Sequence, residues 1–346
     1  MKIGITKEIK PFEGRVALTP LACKLLIAKG HRLYLESDAG VLSGFKNAEY
    51  QDLGVGICDT AKELYQAAEL IIKVKDPLPC EVPLLEPKHT LFCFLHLAAN
   101  KDLQDMLVKS GATTIAFEMV AENKQLPLLK PMSEIAGKLA VQVASNLLHL
   151  PQGGSGQLLG GLDATDKGCV VVLGAGSAGR QAALLAKNIG AQVRVYDKSV
   201  AALDYLNSLD PLIETSNDIK TGLAWVTSAD VLIGALLIAG ERTPRLIRRE
   251  HVKGMRNGSV IVDISVDQGG CIETSRPTSY EQPTYVEEGV THFCVTNMPG
   301  AVPRTATQAL SVLLPAYIER LSVDNWFDND AIMRAAINTK NGQSLL

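Results

Sequence analysis

Short apolar runs alternate with helix-forming segments along most of the chain. Residues 169–173 are almost wholly apolar, which is typical of a strand buried on both faces of a sheet. A helix is predicted to follow Thr19, a good N-cap, with Leu21, Leu25 and Leu26 as its buried stripe. Strands and helices that alternate in this way predict an α/β protein with largely parallel sheets.

A glycine-rich turn follows the apolar run of residues 169–173. Gly174, Gly176 and Gly179 form Gly-x-Gly-x-x-Gly between a predicted strand and a predicted helix, and Asp197 ends the next strand. The glycines suit a tight turn, a close approach of pyrophosphate to the backbone and close packing of helix on strand, while the acid suits the ribose hydroxyls. Because a carboxylate repels a 2′-phosphate, the pattern favours NAD over NADP.

The order of these segments predicts two Rossmann-like, doubly wound domains with parallel sheets. A long helix from about Ser133 toward Leu150 separates two strand–helix regions. The last helices follow too late in the chain to belong to the second sheet, so we expect them to pack on the first. The first domain is therefore discontinuous: residues 1–128 plus 301–346 form a substrate and catalytic domain, and residues 129–300 an NAD-binding Rossmann domain.

Composition excludes several classes of function. The 346 residues carry a formal net charge of -3 with no block of Lys or Arg, so no nucleic-acid surface is expected. No apolar run approaches the roughly 20 residues of a membrane span, and the charged N-terminus is unlike a signal peptide. The seven cysteines are scattered and the six histidines isolated, which favours a reduced, cytoplasmic protein without a metal site.

Several polar residues fall at or just after predicted strand ends, where α/β sheets bind ligands. Arg15 could grip a carboxylate, and Lys73 or Lys75, alternating on a strand predicted to reach residue 75, could hold a carboxylate or polarise a carbonyl. His96 ends an apolar strand and could transfer protons. Asp267 precedes Gln-Gly-Gly and could be a catalytic acid or merely a turn residue. The residues alone do not decide whether these side chains are functional or only structural.

Taken together, the motifs resemble the alanine dehydrogenase and pyridine nucleotide transhydrogenase family from the first strand to Leu314. The matching segments are Lys7-Glu8, Glu13–Pro20, Lys73–Pro77, Phe94–Ala99, Pro131–Glu134, Gln152–Gly154, Gly174–Gly179, Val262–Gly270, Ser275–Pro277 and Asn297–Pro299. Their combination is far more specific than any one of them.

The resemblance implies an NAD-dependent enzyme that oxidatively deaminates L-alanine to pyruvate and ammonium and runs the reverse reaction. Arg15 and Lys75 would bind the substrate, and His96 and Asp267 would be the catalytic proton donors and acceptors. The resemblance also implies a homohexamer, while charge and hydropathy by themselves predict no nucleic-acid or membrane partner. The implied cofactor contacts are Ser133, Gly174, Gly176, Ser177, Ala178, Gly179, Asp197, Leu236, Leu237, Ile264, Asp267, Arg276, Asn297 and Met298.

Two other functions stay open at this point. One is an oxidoreductase for another small amino or imino acid, and the other is a transhydrogenase-type nucleotide-binding subunit with a membrane partner. The set of Arg15, Lys75, His96 and Asp267 argues for the dehydrogenase. Ala202, where the family resemblance leads us to expect a basic residue, bears on cofactor affinity rather than on the reaction.

Overall fold

The computed structural model describes residues 1–97, 100–123, 125–236 and 243–346. The chain divides into two compact units, Met1–Met132 with Pro299–Leu346, and Ser133–Met298. The strands are β1 (Lys2–Ile5), β2 (Arg32–Glu36), β3 (Gly56–Cys58), β4 (Leu70–Ile72), β5 (Thr90–Cys93), β6 (Thr113–Ala116), β7 (Cys169–Leu173), β8 (Gln192–Tyr196), β9 (Glu214–Ser216), β10 (Val231–Gly234), β11 (Val260–Asp263), β12 (Thr284–Glu287), β13 (Val290–Phe293), β14 (Ile337–Lys340) and β15 (Gln343–Ser344). The α-helices are α1 (Pro20–Ala28), α2 (Asn47–Gln51), α3 (Ala61–Ala67), α4 (Lys101–Ser110), α5 (Lys130–Leu147), α6 (Ser177–Asn188), α7 (Val200–Leu209), α8 (Ile219–Val226), α9 (Arg249–Lys253), α10 (Pro303–Ser311), α11 (Leu314–Ser322), α12 (Trp326–Asn329) and α13 (Ala331–Ala335).

The sheet of the first unit has the order β3-β2-β1-β4-β5-β6-β14-β15. Strands β1 to β6 are parallel. The C-terminal strand β14 joins β6 antiparallel, with the buried hydroxyls of Thr114 and Thr339 2.9 Å apart across the pair. The strand order reverses between β1 and β4, which is where open α/β sheets bind ligands.

The sheet of the second unit repeats this plan. Its order is β9-β8-β7-β10-β11-β13-β12, with every pair parallel except β12 and β13. The strand order reverses between β7 and β10, directly beside the glycine-rich turn. Both sheets therefore confirm the predicted fold class of Rossmann-like α/β units.

Alternate residues of β7 show why the second unit is doubly wound. Val170 and Val172 pack in a core with α5, α6 and α7, whereas Val171 and Leu173 pack in a core with α8 and α9. All of these valines and Leu173 are completely buried. Burial of both faces explains why this strand is a continuous apolar run, as the sequence predicts.

Some sequence-based predictions about local structure are wrong. Thr19 does cap α1, but Leu21 and Leu25 are 68% and 56% exposed, and the buried face instead consists of Ala22, Cys23 and Leu26. The strand predicted to reach residue 75 ends at Ile72.

In the described part of the chain, no helix combines the length and apolarity that a bilayer crossing requires.

Candidate active site

The glycine-rich turn between β7 and α6 has the geometry of a phosphate-binding turn. Gly174 has a φ of 106°, and its N–H donates to the Tyr196 carbonyl at 2.7 Å. A Cβ added to Gly179 would lie 1.7 Å from the Gly174 carbonyl oxygen, so α6 starts against the turn itself. A Cβ added to Gly176 would meet nothing within 4 Å. The backbone at Gly176 is thus open to a ligand.

The N-terminus of α6 is suited to an anion. Gly176 is its N-cap, no side chain caps it, and its first turn holds no acidic residue. The helix start carries backbone N–H groups and the positive end of the helix dipole. Gly137 of α5 packs on this end, because a Cβ there would lie 2.1 Å from the Ala178 carbonyl oxygen. Ser133 lies one turn before Gly137 on the same side of α5.

Asp197 is held beside the glycine-rich turn. It follows β8, its Oδ2 accepts the Ala175 N–H at 2.6 Å, and its Oδ1 accepts the Ser199 N–H at 2.8 Å. These bonds fix the carboxylate at the end of the second strand, where the dinucleotide fingerprint places the ribose acid. The open backbone at Gly176, the uncapped helix and this carboxylate together fit a dinucleotide.

The residues after β10 and β11 lie at the same end of the second sheet as the glycine-rich turn and Asp197. The Leu236 carbonyl accepts the Ser265 hydroxyl at 2.8 Å, and the Leu236 side chain lies 3.3 Å from a Cβ position at Gly174. Ile264, the first residue after β11, is half-buried. The structure thus brings Leu236 next to the glycine-rich turn, while the predicted contact Leu237 lies outside the described residues.

Asp267 lies in a turn held by a buried carboxylate that the sequence analysis missed. Asp263 is completely buried, and its oxygens accept the Ser265 N–H at 3.0 Å and the Cys271 N–H at 3.1 Å, so it holds the two ends of this turn. Burial raises the pKa of Asp263 to about 6. Asp267 is exposed, and its Oδ2 accepts the Asn297 N–H at 3.4 Å.

The remaining predicted cofactor residues follow β13 or precede β12. Asn297 has a φ of 62°, a left-handed conformation that asparagine tolerates. Met298 is buried, and its carbonyl accepts the Tyr280 hydroxyl at 2.9 Å. Arg276 is exposed, and its guanidinium lies 4.1 Å from the centre of the Tyr285 ring. The structure therefore groups Asn297 with Asp267, while Arg276 is held by an aromatic ring.

Arg15, in the first unit, is a buried arginine in an ion pair. Its side chain is 2% exposed, its Nε donates to Glu13 Oε1 at 2.7 Å and its Nη2 to Glu13 Oε2 at 2.5 Å. Nη1 lies 3.2 Å from the Met132 sulfur. Since a buried charge is costly unless it is paired, Glu13 is what allows the guanidinium to stay in this position.

The two candidate lysines have different environments. Lys73 is buried, with its Nζ 2.6 Å from Glu81 and 3.4 Å from Glu8. Burial by itself would lower the pKa of Lys73, but these two carboxylates raise it above its ordinary value. Lys75 keeps 14% of its side chain exposed and lies 3.6 Å from Asp76. Lys73 is therefore part of the interior, and Lys75 is the lysine that a ligand could reach.

His96 follows β5 in an unusual backbone conformation. Its φ is 49°, and its N–H donates to Glu118 Oε1 at 2.6 Å. The imidazole stacks on Phe94 with ring centres 6.0 Å apart and is 27% exposed. Glu118 is a second residue that the sequence analysis missed, although an acid directly after the apolar residues 115–117 is the same kind of signal that singled out His96.

Strand register brings the segments that carry these residues of the first unit to one end of its sheet. Ile5 pairs with Ile72, Ile72 with Phe92, and Cys93 with Ala116. The segments after β1, β4, β5 and β6 hold Arg15, Lys75, His96 and Glu118 respectively, so they leave the sheet side by side. Among the described residues, no group of three or more His, Cys, Asp or Glu side chains is arranged to hold a metal ion.

Comparisons with known proteins identify the family. Residues 4–136 match the family model described as "Alanine dehydrogenase/PNT, N-terminal domain", and residues 140–346 match "Alanine dehydrogenase/PNT, C-terminal domain". The chain belongs to the alanine dehydrogenase/PNT family. The family membership expected from the motifs is thereby confirmed.

Individual members of the alanine dehydrogenase/PNT family are similar over nearly the full length. Alanine dehydrogenase of Bacillus subtilis is 44% identical over 353 residues, covering 99% of this chain and 92% of that protein. A solved L-alanine dehydrogenase superposes with a TM-score of 0.93 at 43% identity, covering 100% of this chain and 97% of the other. A transhydrogenase from Sinorhizobium meliloti superposes with a TM-score of 0.85 at 25% identity, covering 100% and 99%.

Proposed function

We propose that this chain catalyses the NAD-dependent oxidative deamination of L-alanine to pyruvate and ammonium, and the reverse reductive amination. The observation that carries this proposal is its full-length similarity to proteins named alanine dehydrogenase, at 44% identity for the Bacillus subtilis protein. The transhydrogenase of known structure is much less similar, at 25% identity. The chemistry of the residues at the two sheet edges supports the same function.

The second unit is proposed to bind NAD, which when bound accepts a hydride from the substrate. The N–H groups at the start of α6 would take the pyrophosphate, for which the backbone at Gly176 leaves space. The Asp197 carboxylate would accept the ribose hydroxyls and repel a 2′-phosphate. The proposed contacts are Ser133, Gly174, Gly176, Ser177, Ala178, Gly179, Asp197, Leu236, Leu237, Ile264, Asp267, Arg276, Asn297 and Met298.

The first unit is proposed to bind the substrate. The Arg15 guanidinium, fixed by Glu13, would pair with the alanine carboxylate, for which its planar donors are well suited. The Lys75 ammonium would bind a carboxylate or carbonyl oxygen and stabilise the negative charge that develops there. The two cations follow the strands on either side of the reversal in strand order, the place at which open α/β sheets bind ligands.

His96 and Asp267 are proposed to move the protons. Loss of the Cα hydride leaves an imine, which water attacks to give a carbinolamine; its C–N bond then breaks to give pyruvate and ammonium. The balanced reaction converts L-alanine, NAD⁺ and water into pyruvate, ammonium, NADH and a proton. Asp267 would take the proton of the attacking water, and His96 would exchange protons with the substrate nitrogen or oxygen.

An assay of the purified protein tests this proposal. NADH absorbance should fall when pyruvate and ammonium are both present, and should fall more slowly with larger 2-oxo acids. Oxidation only with another 2-oxo acid would reassign the substrate. Failure with every 2-oxo acid, together with hydride exchange between NADH and an NADP analogue, would replace the proposal by transhydrogenase chemistry.

Assembly as a homohexamer is proposed from the family resemblance alone. Sedimentation velocity of the full chain measures it directly. If the protein is a monomer at assay concentrations and still oxidises alanine, the proposed assembly is wrong and the proposed activity stands.

The preference for NAD is expected to depend on Asp197. Asp197→Asn keeps an oxygen to accept the Ala175 N–H, which now bonds at 2.6 Å, but removes the charge that repels a 2′-phosphate. We expect the ratio of kcat/KM for NADP to that for NAD to rise about tenfold, a change equivalent to about 1.4 kcal/mol. Asp204→Asn, at an exposed position on α7, is the control. An unchanged ratio in Asp197→Asn would show that another residue selects the cofactor.

A further inference from the structure

Glu118 is a largely buried carboxylate in the first unit, and the proposed reaction gives it no role. Its side chain is 12% exposed. The Leu95 N–H lies 3.2 Å from both of its oxygens, and the His96 N–H donates to Oε1 at 2.6 Å. Two consecutive backbone donors thus converge on one carboxylate, and hydrogen bonds to an ionised acceptor are the stronger kind.

The backbone that carries Glu118 is fixed by aromatic packing. Phe117 is completely buried, with its ring centre 4.4 Å from that of Phe92 and 5.1 Å from that of Phe94, both in edge-to-face geometry. Phe92 belongs to β5 and Phe94 immediately follows it. The end of β6 is therefore held rigidly against the end of β5, and Glu118 is presented to the Leu95 and His96 amides from a fixed point.

The conformation of His96 requires such support. A residue other than glycine with a φ of 49° is in the left-handed region, which is costly and persists only where the surroundings impose it. Without the Glu118 oxygens, two N–H groups would lose their acceptor and the backbone at His96 could relax to an ordinary conformation. The direction of the imidazole would change with it.

We infer that Glu118 is the positioning residue for His96, acting through the backbone rather than through the imidazole. The imidazole Nδ1 is 3.7 Å from Glu118 Oε1, which is too far for a hydrogen bond, whereas the amide of the same residue is 2.6 Å away. The inference rests on the proposed function, because it takes His96 as the proton-transfer group.

Two conservative variants separate the position of the oxygen from the charge. Glu118→Gln keeps an oxygen at the Oε1 position, which accepts both amides, but has no charge. Glu118→Asp keeps the charge and withdraws the oxygens by one methylene. If Glu118 positions His96, Glu118→Gln should retain kcat for alanine oxidation within about fivefold. Glu118→Asp should lower kcat about tenfold. Glu118→Ala should lower it about a hundredfold, the lower end of the range that acid–base groups contribute.

Further measurements distinguish positioning from general stability. The NADH dissociation constant should stay within about twofold in all three variants, as in the control Glu86→Gln at a 56% exposed carboxylate. In a His96→Ala background, Glu118→Ala should lower the residual rate less than twofold, because residues that act as a unit are non-additive. A crystal structure of Glu118→Ala should show residue 96 outside the left-handed region.

Opposite results overturn the inference. A Glu118→Asp enzyme that is faster than Glu118→Gln would show that the charge matters and not the oxygen position. An equal loss from Glu118→Ala with and without His96 would show that the two residues act independently. Should the unmodified protein fail to oxidise alanine, the proposed function fails by itself, and the conformation of residue 96 in the Glu118→Ala crystal still decides whether Glu118 holds that backbone.

Discussion

Replacing His96 by alanine is expected to lower kcat for alanine oxidation by roughly 10³-fold, within the range for a lost acid–base group. NADH should bind with its normal affinity, because the glycine-rich turn and Asp197 belong to the other unit of the chain. Steady-state kinetics and NADH fluorescence titration measure the two quantities. His149→Ala, at an exposed histidine, should behave like the unmodified enzyme.

The same two measurements test Asp267, with a variant that preserves its hydrogen bond from the Asn297 N–H. Asp267→Asn keeps an oxygen that can accept the Asn297 N–H, now 3.4 Å from Oδ2, but cannot take a proton from water. Its kcat should fall as far as that of His96→Ala, with NADH affinity changed less than about threefold. Normal turnover in either variant would remove that residue from the proposed mechanism.

Local chemistry made some features of this chain predictable from sequence. The turn at Gly174–Gly179 could be predicted because its requirements for space and left-handed backbone act over a few residues. The start of the helix after Thr19 could be predicted because a capping residue marks it, and the strand at Cys169–Leu173 could be predicted with its observed ends because an unbroken apolar run marks it. In these segments the sequence pattern and the local structure report the same physical preferences.

Features that depend on distant partners could not be predicted. Lys73 and Lys75 look equivalent along the chain, yet Glu8 and Glu81 enclose only Lys73 within the interior. The length of β4 depends on its neighbours β1 and β5, so alternation alone did not reveal that the strand ends at Ile72. The strand β14 depends on β6, from which it is separated by more than half of the chain.

The left-handed conformation of His96 belongs to this second group. A histidine after an apolar run predicts a strand end and a chemical group, but not its backbone angle. That angle depends on Glu118, which reaches His96 only because β5 and β6 pair in register. A sequence search for polar residues after every apolar run, rather than for recognised motifs alone, would have included Glu118.

A pair of glycine substitutions should separate folding from nucleotide binding at the turn of the second unit. Gly176→Ala adds a methyl group where nothing lies within 4 Å, with a φ of -67° that alanine adopts freely. The thermal midpoint without nucleotide should stay within about 2 °C, since surface changes of this kind cost little. NADH affinity should nevertheless fall at least about tenfold, because the methyl group occupies the approach of the pyrophosphate.

Gly179→Ala should impair both properties. Its Cβ would lie 1.7 Å from the Gly174 carbonyl oxygen, a backbone atom that can move only if α6 shifts away from β7. In a helix interior, alanine stabilises the fold by about 1 kcal/mol relative to glycine. Overpacking of this kind lowers the stability by about 1–3 kcal/mol or more, so we expect the substitution to destabilise the protein. The shift also moves the N–H groups at the helix start, and we expect NADH affinity to fall about a hundredfold.

Thermal melts without nucleotide and NADH titrations measure the thermal midpoint and the NADH dissociation constant of each variant. A Gly179→Ala protein as stable as the unmodified chain, or a Gly176→Ala protein that binds NADH normally, would contradict the proposed roles of these two glycines.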